Sequence, residues 1–147
     1  MLPEVQFSEA RRQFSALYDS IYNALRPAVV RRGRDEEVLL LRKDLLRSVL
    51  ERFPLRVELL REDDGSVTLA LDQLELVVNA GSRDEAVKEL VKELRTYAQD
   101  YLERAPLFLN APNRRAHLPY VLRIALCRSE DEVRALLEMP CLQGSES

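Results

Sequence analysis

Apolar positions in the first part of the chain recur at threes and fours. Ala10, Phe14, Leu17, Tyr18, Ile21, Tyr22 and Leu25 mark one face of an amphipathic helix that starts at Ser8. Residues 3–7 suit a short strand ahead of it. Pro27 ends the helix, because proline pushes the residue before it away from helical angles. The stretches "AVVRR", "GRD" and "EEVLLL" then read as strand, tight turn and strand. Leu45, Leu46, Val49, Leu50 and Phe53 mark a second helix, which Pro54 closes. The order to this point is β-α-β-β-α.

Beyond Pro54 the period changes. In "LRVELL", Leu55, Val57 and Leu59 alternate with Arg56 and Glu58. "REDDGS" supplies a turn in which Gly65 is able to take positive φ. "VTLAL" alternates again, and "LELVV" sets Leu74, Leu76 and Val78 on one face, which completes a three-stranded meander. Ser82 to Glu85 forms a capping box for a long helix striped by Val87, Leu90, Val91, Leu94, Tyr97, Ala98, Tyr101 and Leu102. Residues 55–104 therefore read β-β-β-α. The rest reads as helix. Asn113 is the expected cap of a segment holding Leu118, Val121, Leu122 and Ala125, with Pro119 in its first turn. Ser129 to Glu132 is a second capping box, and residues 141–147, "CLQGSES", are expected to fray. The fold class is α+β, with a domain over residues 1–53, a second over residues 54–140, and a boundary at Pro54.

Composition adds limits. With 147 residues, 46% of them hydrophobic, the chain has material for a sizeable core. No apolar run approaches the roughly 20 residues that a spanning helix needs, so no membrane partner is expected. The opening "MLPEVQFSEARR" has no basic stretch followed by an apolar one, hence no export signal. Cys127 and Cys141 are then expected as reduced thiols in a cytoplasmic protein. The glycines at 33, 65, 81 and 144 are not spaced for a phosphate loop. His117 is the lone histidine and reads as a polar helix residue; Cys127 reads as a core thiol, and neither His117 nor Cys141 has a second ligand at metal spacing. Asp63–Asp64 and Glu36–Glu37 sit in or beside turns and read as solvated residues, not as a general acid and base. No enzyme, cofactor or metal is expected.

Charge distribution is more informative. Residues 1–53 hold 10 Lys/Arg and 8 Asp/Glu, a net of +2, while residues 54–147 hold 12 and 17, a net of −5. Arg11, Arg12, Arg26, Arg31, Arg32 and Arg34 crowd the basic part. If Ser8 caps the first helix, Arg11 and Arg12 lie near the positive end of its dipole, at a cost of roughly 0.3–1 kcal/mol each. Either water solvates them or an anion belongs there. A mildly basic head on an acidic body fits a nucleic-acid-binding end.

The stretch "FSEARRQFSALYDSI", followed by "AVVRRGRDEEVLLLRKDL", resembles the Phd/YefM family of bacterial antitoxins over residues 4–53. The helix start matches at Ser8, Glu9, Ala10 and Arg11, then at Phe14 and Ser15; the hairpin matches at Pro27, Val29, Val30, Arg31, Arg32 and Glu36–Leu40. The family's Asn-Gly turn is Arg34-Asp35 here, and the serine that caps its second helix is Leu41. The resemblance implies a homodimer or higher oligomer that binds operator DNA, with Arg11 and Arg32 at the nucleic acid. Ser8 opens the same motif, and Arg12, Arg31 and Arg34 join the candidate site through charge and proximity. Residues 57–102, through Asp64, Gly65, Gly81, Ser82, Glu85 and Ala86, look like the HicB antitoxin domain. The combined layout resembles Phd-like antitoxins found beside RelE-type toxins. It implies a cognate toxin, a small basic ribonuclease, held by the acidic second domain. The alternative is a DNA-binding regulator without a toxin, whose second domain dimerises or binds a ligand.

Overall fold

A computed structural model describes residues 1–140 of the chain; the expected fray and Cys141 lie outside them. Two compact units are distinguished, Met1–Val49 and the residues from Leu50 onward.

The first unit is a three-stranded sheet, β1 (Glu4–Gln6), β2 (Ala28–Arg32) and β3 (Glu36–Leu40), in the order β1-β2-β3. β1 and β2 are parallel, so the chain between them must cross over, and α1 (Phe7–Arg12) and α2 (Phe14–Ala24) form that crossover. β2 and β3 are an antiparallel hairpin with Arg31 opposite Glu37 and Arg32 opposite Glu36. Gly33 turns the hairpin at φ +66, a conformation that costs glycine little. α3 (Lys43–Leu50) follows and ends before Phe53, whose N–H donates to the carbonyl of Leu50.

Two expectations for this unit are corrected. The helix begins directly after β1, so Gln6 is the N-cap, in extended conformation and without a side-chain bond, and Ser8 lies inside the first turn. The long helix is also interrupted at Gln13 (φ −117, ψ 38). The backbone ladder bridges the break: Gln13 N–H donates to Glu9 and Leu17 N–H donates to Gln13. Arg11 and Arg12 thereby occupy the last turn of a six-residue helix, where the dipole favours cations. α2 ends at Leu25 in the left-handed region, two residues before Pro27.

In the second unit, β5 (Glu58–Arg61), β6 (Val67–Leu71) and β7 (Leu76–Ala80) form an antiparallel meander. Gly65, at φ +87, makes the β5–β6 turn, and the Asp64 carboxylate accepts from both the N–H and the hydroxyl of Ser66. Those bonds hold the Asp64 carboxyl below the usual carboxylate range. Residues Asp72–Leu74 form a 3-10 turn rather than the start of the third strand, which begins at Leu76.

α4 (Arg83–Glu103) packs its apolar stripe on the sheet. The Ser82 hydroxyl accepts from the N–H of Glu85 at 3.2 Å and fixes its start. α5 (Ala105–Asn110), α6 (Pro112–Arg115), α7 (Leu118–Ala125) and α8 (Glu130–Leu136) follow. Asn113 lies within α6 and does not cap α7, because Ala111 precedes α6 and His117 precedes α7. Ser129 caps α8 by accepting from Glu132 N–H, which is the first arm of the box; the Glu132 carboxylate reaches back one residue further and accepts from Arg128 N–H.

A short β4 (Leu55–Arg56) pairs in parallel with β8 (Leu137–Glu138), and the Val57 N–H donates to Glu138. The core gathers Leu55, Leu69, Leu71, Leu74, Leu90, Leu94 and Tyr101, all fully buried. Cys127 is half-buried against that core, and its thiol donates to the Arg123 carbonyl. His117, expected as a polar helix residue, is buried and lies in the turn just before α7. Arg114 donates to the Tyr97 hydroxyl at 3.1 Å, and that hydroxyl lies 2.6 Å from His117 Nδ1.

Candidate nucleic-acid interface

Strand geometry sorts the hairpin arginines. Successive side chains of a strand point to opposite faces, so Arg31 and Arg32 part company. Arg31 donates to Glu4 of β1 at 3.0 Å and pairs with Glu37 of β3. It also reaches the Arg34 carbonyl at the turn. Its guanidinium thus links all three strands and is the most enclosed of the candidate cations that form ion pairs.

Arg32 lies on the other face. It pairs with Glu36 at 2.7 Å, with both side chains largely in solvent. Its guanidinium sits 5.3 Å from the centre of the Phe7 ring, at cation–π distance. Phe7 opens α1, and Arg11 follows it by one helical turn, so both occupy the same side of that helix. Phe7 therefore brings the helix arginine and the hairpin arginine into one corner of the unit. Arg11 is exposed and forms no ion pair among the described residues. Arg12, also exposed, pairs with Glu9 one turn back. The Arg34 side chain projects from the turn. Ser8 is exposed in the first turn of α1. The six-residue helix has a weak dipole, so anion attraction at this corner rests on the guanidinium groups.

Two features escaped the pattern of the sequence. Phe7 is a half-exposed platform under Arg32 rather than a strand residue. The stripe Phe14, Tyr18 and Tyr22, spaced by fours, lies in solvent and not in the core. Tyr18 and Tyr22 stack with parallel rings, and Arg42 covers the Tyr22 ring while donating to its carbonyl at 2.9 Å. Asp44 braces Arg42, and that pairing lowers the Asp44 carboxyl below its ordinary range. The spacing by fours was visible in the sequence; what it lacked was a sign of how few other apolar residues the unit has to put beneath it.

Among the described residues no cluster of three metal-ligating side chains occurs, and no helix is long and apolar enough to cross a membrane.

Comparison with known proteins gives the context. A family model described as antitoxin of toxin–antitoxin, RelE/RelB, TA system matches residues 1–139. A crystal structure from Syntrophomonas wolfei subsp. wolfei, described as the antitoxin part of a proposed toxin/antitoxin system, superposes with a TM-score of 0.84 at 32% identity. The match covers 95% of this chain and 99% of that one. No curated protein matches. With a family model spanning nearly its whole length and a solved antitoxin of the same fold, the chain belongs to the Phd-like antitoxin family of RelE/RelB-type toxin–antitoxin systems.

Proposed function

We propose that the chain dimerises through its first unit, binds operator DNA ahead of its own gene, and neutralises a small basic toxin with its second unit. That toxin is RelE-like or another mRNA-cleaving ribonuclease. The observation that carries the dimer is the state of the first unit. It buries Ala10, Ile21 and Ala28, while Phe14, Tyr18, Tyr22, Leu25, Val38 and Leu39 stand in solvent. A unit of this size with so small a core is stabilised by covering those side chains, and a second copy supplies the cover.

A two-fold dimer duplicates the Arg11–Arg32 corner and presents it to two DNA half-sites. Arg11 contacts phosphate or a guanine edge with a guanidinium that forms no ion pair among the described residues. Arg32 exchanges Glu36 for the nucleic acid, an inexpensive exchange because that pair is exposed. Arg12, Arg34 and the Ser8 hydroxyl flank the contact. Arg31 acts from behind, holding β2 between its neighbours through Glu4 and Glu37.

For the second unit, the net of −5 beyond residue 53 suits a cationic partner. Its β-β-β-α order supports a likeness to the HicB domain. The test of the dimer is light scattering on the purified chain. The wild type is expected at twice the chain mass and Tyr18→Glu at the single mass, with promoter binding lost alongside. A monomeric wild type, or a Tyr18→Glu dimer that binds DNA normally, contradicts this assembly.

A further inference from the structure

The inner face of the β5–β7 sheet, through Val67, Leu69 and Val78, belongs to the core with α4. Its outer face has no role yet. Strand alternation and register place Leu60 opposite Thr68 and Thr68 opposite Asn79, in one row. The next row is Glu58, Ala70 and Val77. Leu60 is 60% and Val77 67% exposed, high values for aliphatic side chains in strand interiors. The middle strand contributes only the small Thr68 and Ala70, so a shallow trough runs between Leu60 and Val77.

One side of the trough is a fixed polar rim. Asn79 donates to Thr68 at 2.9 Å and to Ser66 at 3.0 Å, and Thr68 donates to the Glu62 carboxylate at 2.7 Å. Ser66 in turn donates to Asp64 at 2.6 Å. The rim and the row beside it carry the carboxylates Glu58, Glu62 and Asp64.

We infer that this sheet face is the docking surface for the toxin, whose apolar contact fills the trough and whose Lys or Arg side chains meet Glu58 and Glu62. The inference rests on the antitoxin reading above. Charge complementarity selects the occupant. A toxin that acts on RNA engages a polyanion and carries cationic surface to do so. DNA is repelled by these carboxylates. A second copy of this chain, docked through the same face by a two-fold axis, sets Glu58 and Glu62 against their own equivalents. An aliphatic centre within a polar, pre-ordered rim is the anatomy of a specific protein interface.

The experiment is isothermal titration of the full-length chain with the purified product of the adjoining reading frame. Leu60→Arg combined with Val77→Arg is expected to weaken binding about 100-fold, since both lie at the centre of the contact. Glu58→Lys alone is expected to weaken it about 10-fold and to flatten its salt dependence. Both variants change exposed side chains, so melting, mass in solution and promoter binding stay at wild-type values. Glu58→Lys keeps the test decisive if the double variant folds poorly. Wild-type binding matched by both variants overturns the docking surface and leaves the antitoxin reading intact. A wild-type chain that does not bind the toxin overturns both. A variant that shifts the mass of the chain alone shows the face to be an interface between copies, which also overturns the inference.

Discussion

Alanine at Arg11, Arg32 and Arg31 should produce three different outcomes, although all three lie in the basic part of the chain. Arg11 forms no ion pair among the described residues, so its removal is expected to change stability by less than about 0.5 kcal/mol. Arg32 gives up an exposed pair with Glu36, worth about 0.2–1 kcal/mol, and a stacking contact on Phe7 worth about 0.5–1 kcal/mol. Arg31 is more enclosed and touches carboxylates on both neighbouring strands. Two such pairs contribute about 1–2 kcal/mol together, and their loss leaves Glu4 and Glu37 without a cation. On DNA the ranking reverses. A dimer carries each arginine twice, so losing one phosphate contact per protomer flattens the plot of log affinity against log salt by about 1.8. The assay is fluorescence anisotropy on a labelled duplex from upstream of the chain's own reading frame, between about 50 and about 200 mM salt, beside thermal melting. Arg11→Ala should flatten the slope without moving the melt, and Arg32→Ala should do both modestly. Arg31→Ala should lower the melt and leave the slope near the wild-type value. A wild-type slope for Arg11→Ala, or a flattened slope with an unmoved melt for Arg31→Ala, refutes the division between contact and brace.

The Tyr97–His117 pair makes a pH prediction. Burial, and then the Arg114 charge, push the His117 pKa below 6.5, so the folded chain holds the ring neutral where the unfolded chain binds a proton. Stability from this group is complete above about pH 6.5 and declines as pH falls through that unfolded value, which melting between about pH 7.5 and about pH 5.5 will register. His117→Gln should lose that pH dependence; an equally steep decline in the variant would assign it elsewhere. Tyr101 is fully buried and donates to the Arg114 carbonyl at 2.9 Å, while the His117 N–H donates to the same carbonyl. Tyr101→Phe therefore leaves the acceptor satisfied and should cost about 1 kcal/mol, a fall of about 4–8 °C in Tm. A larger loss would mean that the hydroxyl fastens more than α4 to α6.

Much of this fold was written locally. Alternation in "VTLAL" specifies a half-buried strand, Ser82 and Ser129 name two helix starts, and Gly65 marks a turn, because each depends on neighbours within a few residues. What was not legible depends on distance or on partners. Leu55 pairs with Leu137 through strands of two residues, too short to show a period. His117 sits beside "RRA" in sequence, yet α4 brings the half-buried Tyr97 to it and the histidine is buried. The stripe of Phe14, Tyr18 and Tyr22 has the period of a core-facing helix, and periodicity does not say whether the core belongs to the same chain. One distinction was available from elementary geometry. Arg31 and Arg32 are adjacent in a strand, so they must face opposite sides of the sheet. A basic dipeptide in a strand faces two sides of the sheet, a distinction that charge counting does not make.

The central claim, that this antitoxin silences a toxin by direct binding, is tested most directly by growth of cells that express the adjoining reading frame from an inducible promoter. Growth should arrest when that frame is induced alone and resume when the chain is supplied together with it. Arrest that persists while the chain accumulates as soluble, folded protein would contradict the account.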